Sequence, residues 1–173
     1  MPVPVIEKSP SLTKVLEVIS GLKAHAKDTL PIIGVIISPF SLPVMQIGFE
    51  AYLNLLYEDE EHFWILMQKN EEFSVSWANA QIKAGATAIC YFDPVSSPTC
   101  IPPDLYKKTG YVVAKRTIPR INGPTATHMA SGLVLPILPD LAETGTFGEG
   151  ARFLMVIPKG KYRQGDTGEP GSY

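Results

Sequence analysis

Asp93 is a carboxylate set directly after the apolar run Thr87 to Phe92. A charge at the end of a buried strand costs desolvation unless it is hydrogen-bonded or at work. The residue is therefore a candidate catalytic group; its plainer reading is an Asp-Pro turn that opens the proline-rich loop Pro94 to Pro103. His128 closes the short run Thr125-Ala126-Thr127-His128 in the same manner. An imidazole there can ligate a metal or move a proton near neutral pH, and the alternative is a ring satisfied by a backbone carbonyl at the rim of the sheet. Ser38, in Ser38-Pro39-Phe40, follows a third run, Pro31 to Ile37. It lacks the glycines of a G-x-S-x-G elbow, so backbone positioning is expected of it and covalent catalysis is not. His25 and His62 fall on polar helix faces, while Phe63, Trp64, Phe73 and Trp77 read as helix packing.

A serine, a carboxylate and an imidazole so far apart in the chain can share one pocket only if parallel strands gather their following loops at one end. The sequence supplies the elements for this. Ser9-Pro10 opens a helix whose apolar stripe is Leu12, Val15, Leu16, Ile19, Leu22 and Ala26. Pro31 to Ile37, rich in β-branched residues, predicts a strand buried on both faces. Leu42 to Tyr57 is helical but interrupted by Pro43 and Gly48, which predicts two short pieces or a kinked one. The acidic cluster Glu58 to Glu61 suits a helix start, and the spacing predicts a helix from Glu60 to Lys83 that stops at Gly85. Its buried stripe is Phe63, Leu66, Met67, Phe73, Trp77, Ala80 and Ile82. Thr87 to Phe92 is a second buried strand and Thr125 to His128 a third. Asp104 to Ile118 and Leu133 to Glu143 are helical, the latter in spite of Pro136 and Pro139. Strand and helix thus alternate, which predicts right-handed βαβ units and an α/β fold with a mainly parallel sheet.

The formal net charge is −2, with 15 Lys and Arg against 17 Asp and Glu, and no basic stripe is present, so neither nucleic acid nor an anionic membrane is an expected partner. No apolar run approaches the ~20 residues of a membrane helix, and no phosphate-binding glycine motif follows a strand. A cytoplasmic protein is expected. Cys90 and Cys100 lack close pairing and read as reduced thiols. Past Gly145 one further strand is expected at Arg152 to Ile157, followed by a polar, Gly-rich, mobile tail from Pro158 to Tyr173.

Ile36 to Leu42 resembles the G-P-F-T-L segment of the uroporphyrinogen decarboxylase superfamily, and Asn79 to Ile89 resembles its A-x-x-x-A-G-A-D-x-I segment. Asp93 to Pro98, followed by Pro103 and Tyr106, is similar to the matching loop of the methylcobamide:coenzyme M methyltransferases. The resemblance implies a partial TIM-type (β/α) barrel over residues 1–147, with 148–173 as an extra strand and tail. The barrel's opening strands and last quarter have no counterpart, since a closed barrel takes ~250 residues.

In function, the resemblance implies methyl transfer from a corrinoid, carried by a partner protein, to a small thiol such as coenzyme M. The family branch binds zinc through an H-x-C-G-N segment. Here His128-Met129-Ala130 keeps the histidine and places alanine at the cysteine position, so the zinc ligand set is incomplete and impaired activity is expected. Asp93 and His128 are the implied catalytic residues, His128 the implied metal ligand, and Ser38, Phe40 and Ser96 the implied cofactor-binding residues. Porphyrinogen decarboxylation, with Asp93 holding pyrrole N–H groups, is one alternative. A non-catalytic module that binds a corrinoid protein or completes another barrel is a second. An oligomer or a second chain completing the barrel follows from the expected open strand edges.

Overall fold

Three of the apolar runs form strands: β1 (Ile33–Ile37), β2 (Ala88–Phe92) and β3 (Thr125–His128), in spatial order β1-β2-β3 and parallel throughout. The computed structural model describes residues 3–27 and 29–146. Parallel pairing requires the chain to return between strands. It does so through α2 (Pro43–Ile47), α3 (Phe49–Glu58) and α4 (Glu60–Ala84) before β2, and through α5 (Pro103–Lys108) and α6 (Gly110–Thr117) before β3. Helix α1 (Pro10–Ala26) precedes the sheet and the single turn α7 (Leu138–Leu141) follows it.

Helix α4 starts where Asp59 accepts the His62 backbone N–H at 3.1 Å, with Glu60 and Glu61 in its first turn, and it ends at Gly85 in the left-handed region, φ 116°. Phe63, Met67 and Trp77 are buried as the spacing predicts, but Leu66, Phe73, Ala80 and Ile82 are only partly so. The buried face also carries Asn70, Glu71, Ser74 and Gln81, which the apolar pattern does not reveal. Two of these serve β1. The Gln81 carboxamide donates to the Val35 carbonyl and accepts from the Val35 N–H, both at 3.1 Å, and Ser74 Oγ donates to the Ile37 carbonyl at 3.3 Å. Gly34 makes room for this: a Cβ there would come within 2.8 Å of Gln81 Oε1 and 2.9 Å of Ile89 Cδ1.

The strands are not buried on both faces. Gly34, Ile36, Ile89, Tyr91, Thr125 and Thr127 are buried, whereas Ile33 and Val35 are each 53% exposed. The register sets Val35 beside Cys90 and Cys90 beside Ala126, then Ile37 beside Phe92 and Phe92 beside His128. Alternation therefore gives the sheet one face packed by α4 and α6 and a second, largely apolar face left open among the described residues. An apolar run reads alike in sequence whether or not a further layer covers its second face.

Other departures have local causes. In α1, Leu12, Leu16 and Ile19 pack, but Val15 and Leu22 are 42% and 50% exposed. The Ser9 hydroxyl makes no capping bond; its carbonyl instead accepts the Thr13 N–H and hydroxyl. The helical stretch from Leu42 does split, at Gly48 with φ 86°, and Pro43 opens α2. The stretch from Asp104 breaks at Thr109, after which Gly110 opens α6. Leu133 to Glu143 yields only a 3-10 turn (Leu135–Ile137), α7 and a π-type turn (Ala142–Thr146), because Pro136 and Pro139 each remove a backbone donor. The expected strand at 152–157, the tail and the division at residue 147 lie outside the described residues.

Two apolar clusters hold the fold. One joins Ile36, Ile89 and Tyr91 to Trp77, Ala78, Ala114 and Ile118 behind the sheet. The other, with Phe40, Tyr52, Phe63, Met67, Tyr106, Val113 and Ile137, lies among the helices and the loops that follow the strands.

Candidate functional site

The loop after β1 and the loop after β2 meet on one carboxylate. Asp93 Oδ1 accepts from Ser38 Oγ at 2.5 Å and from Ser41 Oγ at 2.7 Å. Ser38 Oγ in turn accepts the Ser41 N–H at 2.9 Å, and Ser41 Oγ accepts the Val95 N–H at 3.1 Å. The third strand joins through the backbone, where the Asp93 N–H donates to the His128 carbonyl at 2.9 Å. Ser38, Asp93 and Ser96 are all buried, Asp93 to 1% exposure. Burial pushes the Asp93 carboxyl above its ordinary value of 3.8, and the hydroxyls of Ser38, Ser96 and Ser41 and the Ser96 amide act in the opposite direction. The Ser96 hydroxyl leans on this carboxylate without completing a well-aligned hydrogen bond.

Around the brace stand Tyr52 and Tyr106, whose buried hydroxyls have no hydrogen-bond partner among the described residues. Burial, and after it the charge of Asp93, push both phenols well above their ordinary range. Sequence reasoning gave Ser41, Tyr52 and Tyr106 no site role, although Ser41 and Tyr106 fall in the segments that carry the family resemblance. The first had a signal, since it sits three positions after Ser38, the spacing of a turn. Phe40, expected to touch a cofactor, is instead fully buried, edge-on to Tyr52 at 5.7 Å and to Phe63 at 6.2 Å.

His128 stands apart from this network. Its ring lies 5.5 Å from the Phe92 ring, and its Nδ1 accepts the Ala130 N–H at 2.9 Å. The rim histidine is thus satisfied by a backbone amide and not by a carbonyl. Ala130 itself has φ 52°, a left-handed conformation unusual for a residue with a Cβ. Thus Ser38, Asp93 and Ser96 are brought together, His128 is tied to them only through its backbone, and Phe40 supports them from the core.

Among the described residues no group of three or more His, Cys, Asp or Glu side chains is placed to hold a metal ion. Burial raises the Cys90 and Cys100 thiols, the reverse of what a thiolate ligand needs. The side chains of the described residues therefore do not fit a zinc centre, which takes three or four such ligands.

Parallel β/α units whose chemistry-bearing loops collect at the carboxyl ends of the strands are shared by doubly wound sheets and TIM-type (β/α) barrels, and superposition on a solved methyltransferase assigns them to part of a TIM-type barrel. The sequence pattern of the family described as Uroporphyrinogen decarboxylase (URO-D) matches residues 1–150, and the chain belongs to that family. Methylcobamide:CoM methyltransferase MtaA of Methanosarcina barkeri is 28% identical over 134 residues, which are 78% of this chain and 39% of that protein. A uroporphyrinogen decarboxylase of Geobacter sp. is 34% identical over 85 residues, 46% of this chain and 25% of that one. Among solved structures, a methyltransferase from Methanosarcina mazei superposes with a TM-score of 0.78 at 26% identity, over 83% of this chain and 43% of that chain. The chain spans less than half the length of these relatives. No helix among the described residues is long and apolar enough to cross a membrane.

Proposed function

We propose that this chain carries part of the site of a methyltransferase that moves a methyl group from a methylcobamide to a thiol such as coenzyme M. The observation that carries the proposal is the joining of the strand-end loops on Asp93, in a chain 28% identical over 134 residues to a methylcobamide:CoM methyltransferase. A corrinoid carried by a partner protein would supply the methyl group: the S–CH3 bond would form as the Co–C bond breaks, its electron pair would stay on the departing cobalt, and the thiol proton would pass to solvent.

Within this reading Asp93 is a positioning residue that fixes the two loops, and Ser38, Phe40 and Ser96 build the wall behind it. His128 faces the substrate side beside Phe92. No step is routed through zinc, because the described residues do not assemble the ligands for it. A second chain or further barrel segment covers the open face of the sheet, where Val35 is 53% exposed. A cytoplasmic setting is part of the same proposal and accords with Cys90 and Cys100 both being free thiols.

The decarboxylase reading draws on the 34% identity over 85 residues. Against it, Asp93 is 1% exposed and its Oδ1 already accepts two hydroxyls, so it offers little to pyrrole N–H groups. Calorimetric titration of the purified chain with coenzyme M tests the proposal. Saturable binding that weakens at least tenfold in His128→Ala supports it. Absence of thiol binding, or binding of a porphyrinogen or of a corrinoid protein in its place, overturns it.

A further inference from the structure

A histidine whose Nδ1 accepts a hydrogen bond from a backbone amide carries its proton, when neutral, on Nε2. In this chain the donor is the Ala130 N–H at 2.9 Å, a group that has no acceptor role and cannot reverse the bond. The tautomer follows from that one contact. A ring in this state has no lone pair left for a metal: Nδ1 is engaged and Nε2 bears hydrogen. Histidines that ligate a metal show the opposite arrangement, donating an N–H to an outer acceptor and offering the other nitrogen bare.

The geometry points to His128 as a fixed hydrogen-bond donor through Nε2–H, turned toward the open face of the sheet, and not as a metal ligand. Three observations converge on this. The donor is a backbone amide inside a turn closed by the Gly132 N–H on the Met129 carbonyl at 2.9 Å, and not a mobile side chain. The Phe92 ring, tilted by 36° and 5.5 Å away, flanks the imidazole on the same face of the sheet. Nε2 makes no hydrogen bond with any described residue, and Ala126, Cys90 and Val35 continue that face in register. A small molecule seated against Phe92 therefore meets one N–H donor on an apolar floor, and must itself present an acceptor such as a carboxylate, sulfonate or thiolate.

The inference goes beyond the methyl-transfer reading and is tested separately from it. Long-range 15N–1H correlation spectra of the histidine rings, recorded on the full chain at a pH where His128 is neutral, report the tautomer directly. The expected result is an unprotonated Nδ1 and a protonated Nε2, both unmoved by a stoichiometric addition of zinc. A protonated Nδ1, or zinc that shifts the His128 nitrogens at one equivalent, overturns the assignment. His128→Gln provides the spectral assignment by loss of one ring's signals, and it needs only to fold. Coenzyme M is then added as a probe. Movement of the Nε2 signal is expected, and a Nε2–H ring that does not respond leaves the donor assignment standing while removing the methyl-transfer reading.

Discussion

Ser38 and Asp93 lie 55 positions apart in the chain, yet the serine hydroxyl donates to the carboxylate at 2.5 Å in the interior of the protein. With Ser41 on the same oxygen, the pair ties the exits of β1 and β2 into one unit. Removing the acceptor strands two buried hydroxyls. Each such orphan costs about 1–3 kcal/mol. Asp93→Ala is expected to lose about 3 kcal/mol in urea unfolding, and Ser38→Ala less, since Ser41 still holds the carboxylate.

The same carboxyl makes stability depend on pH in an unusual direction. Its folded value is raised above 3.8 by burial, so the folded protein binds the proton more tightly than the unfolded chain. Stability from this group is complete below 3.8 and is lost as pH rises toward the folded value, by at most about 1.4 kcal/mol per pH unit. Asp93→Asn cannot titrate. The difference in unfolding free energy, wild type minus Asp93→Asn, should therefore fall as pH is raised from 3.8 and then level off. A difference that is flat or rises over that range would contradict the raised value.

Ala130, whose N–H reaches His128 Nδ1, sits at φ 52°. A Cβ in that region costs about 1–2 kcal/mol, part of which glycine returns as unfolded-state entropy. Ala130→Gly should therefore raise the unfolding free energy by about 0.5 kcal/mol, and with it the urea midpoint, and keep the histidine tautomer. A lower midpoint would mean that the turn is relaxed with alanine.

Gly34 lies against the Gln81 carboxamide and the Ile89 side chain. Gly34→Ala forces one of them to move, which costs about 1–3 kcal/mol as overpacking. The loss should shrink in the Gly34→Ala, Gln81→Ala double variant, where the Oε1 contact is gone and the Ile89 Cδ1 contact remains. Equal effects in both backgrounds would show that Gln81 is not what confines Gly34.

The sequence pattern carried the elements with distinct ends. Asp59 and Gly85 bracket α4, and the runs before Ser38, Asp93 and His128 became the three strands. It also marked Asp93 as a buried charge. What it could not carry was the use of that charge, because Ser38 and Ser41 approach from 55 and 52 positions away and hydroxyls leave no periodic trace. The polar face of α4 was hidden for a related reason. Asn70, Ser74 and Gln81 look like solvent-facing residues until the strand edge or loop that they contact is in place. Nor does an apolar run disclose how many of its faces are covered, as Val35 shows.

The carboxamide of Gln81 occupies the position that a neighbouring strand's peptide would take beside Val35. A bare strand margin is a template for self-association into fibrous or amorphous deposits. Here the middle of that margin is already plugged from within, so the two sides of the sheet differ in kind. Thr125 and Thr127, on the far side of β3, belong to the margin whose peptides no described group plugs. Unwanted strand-to-strand association is thereby given a direction: it is expected at β3 before β1.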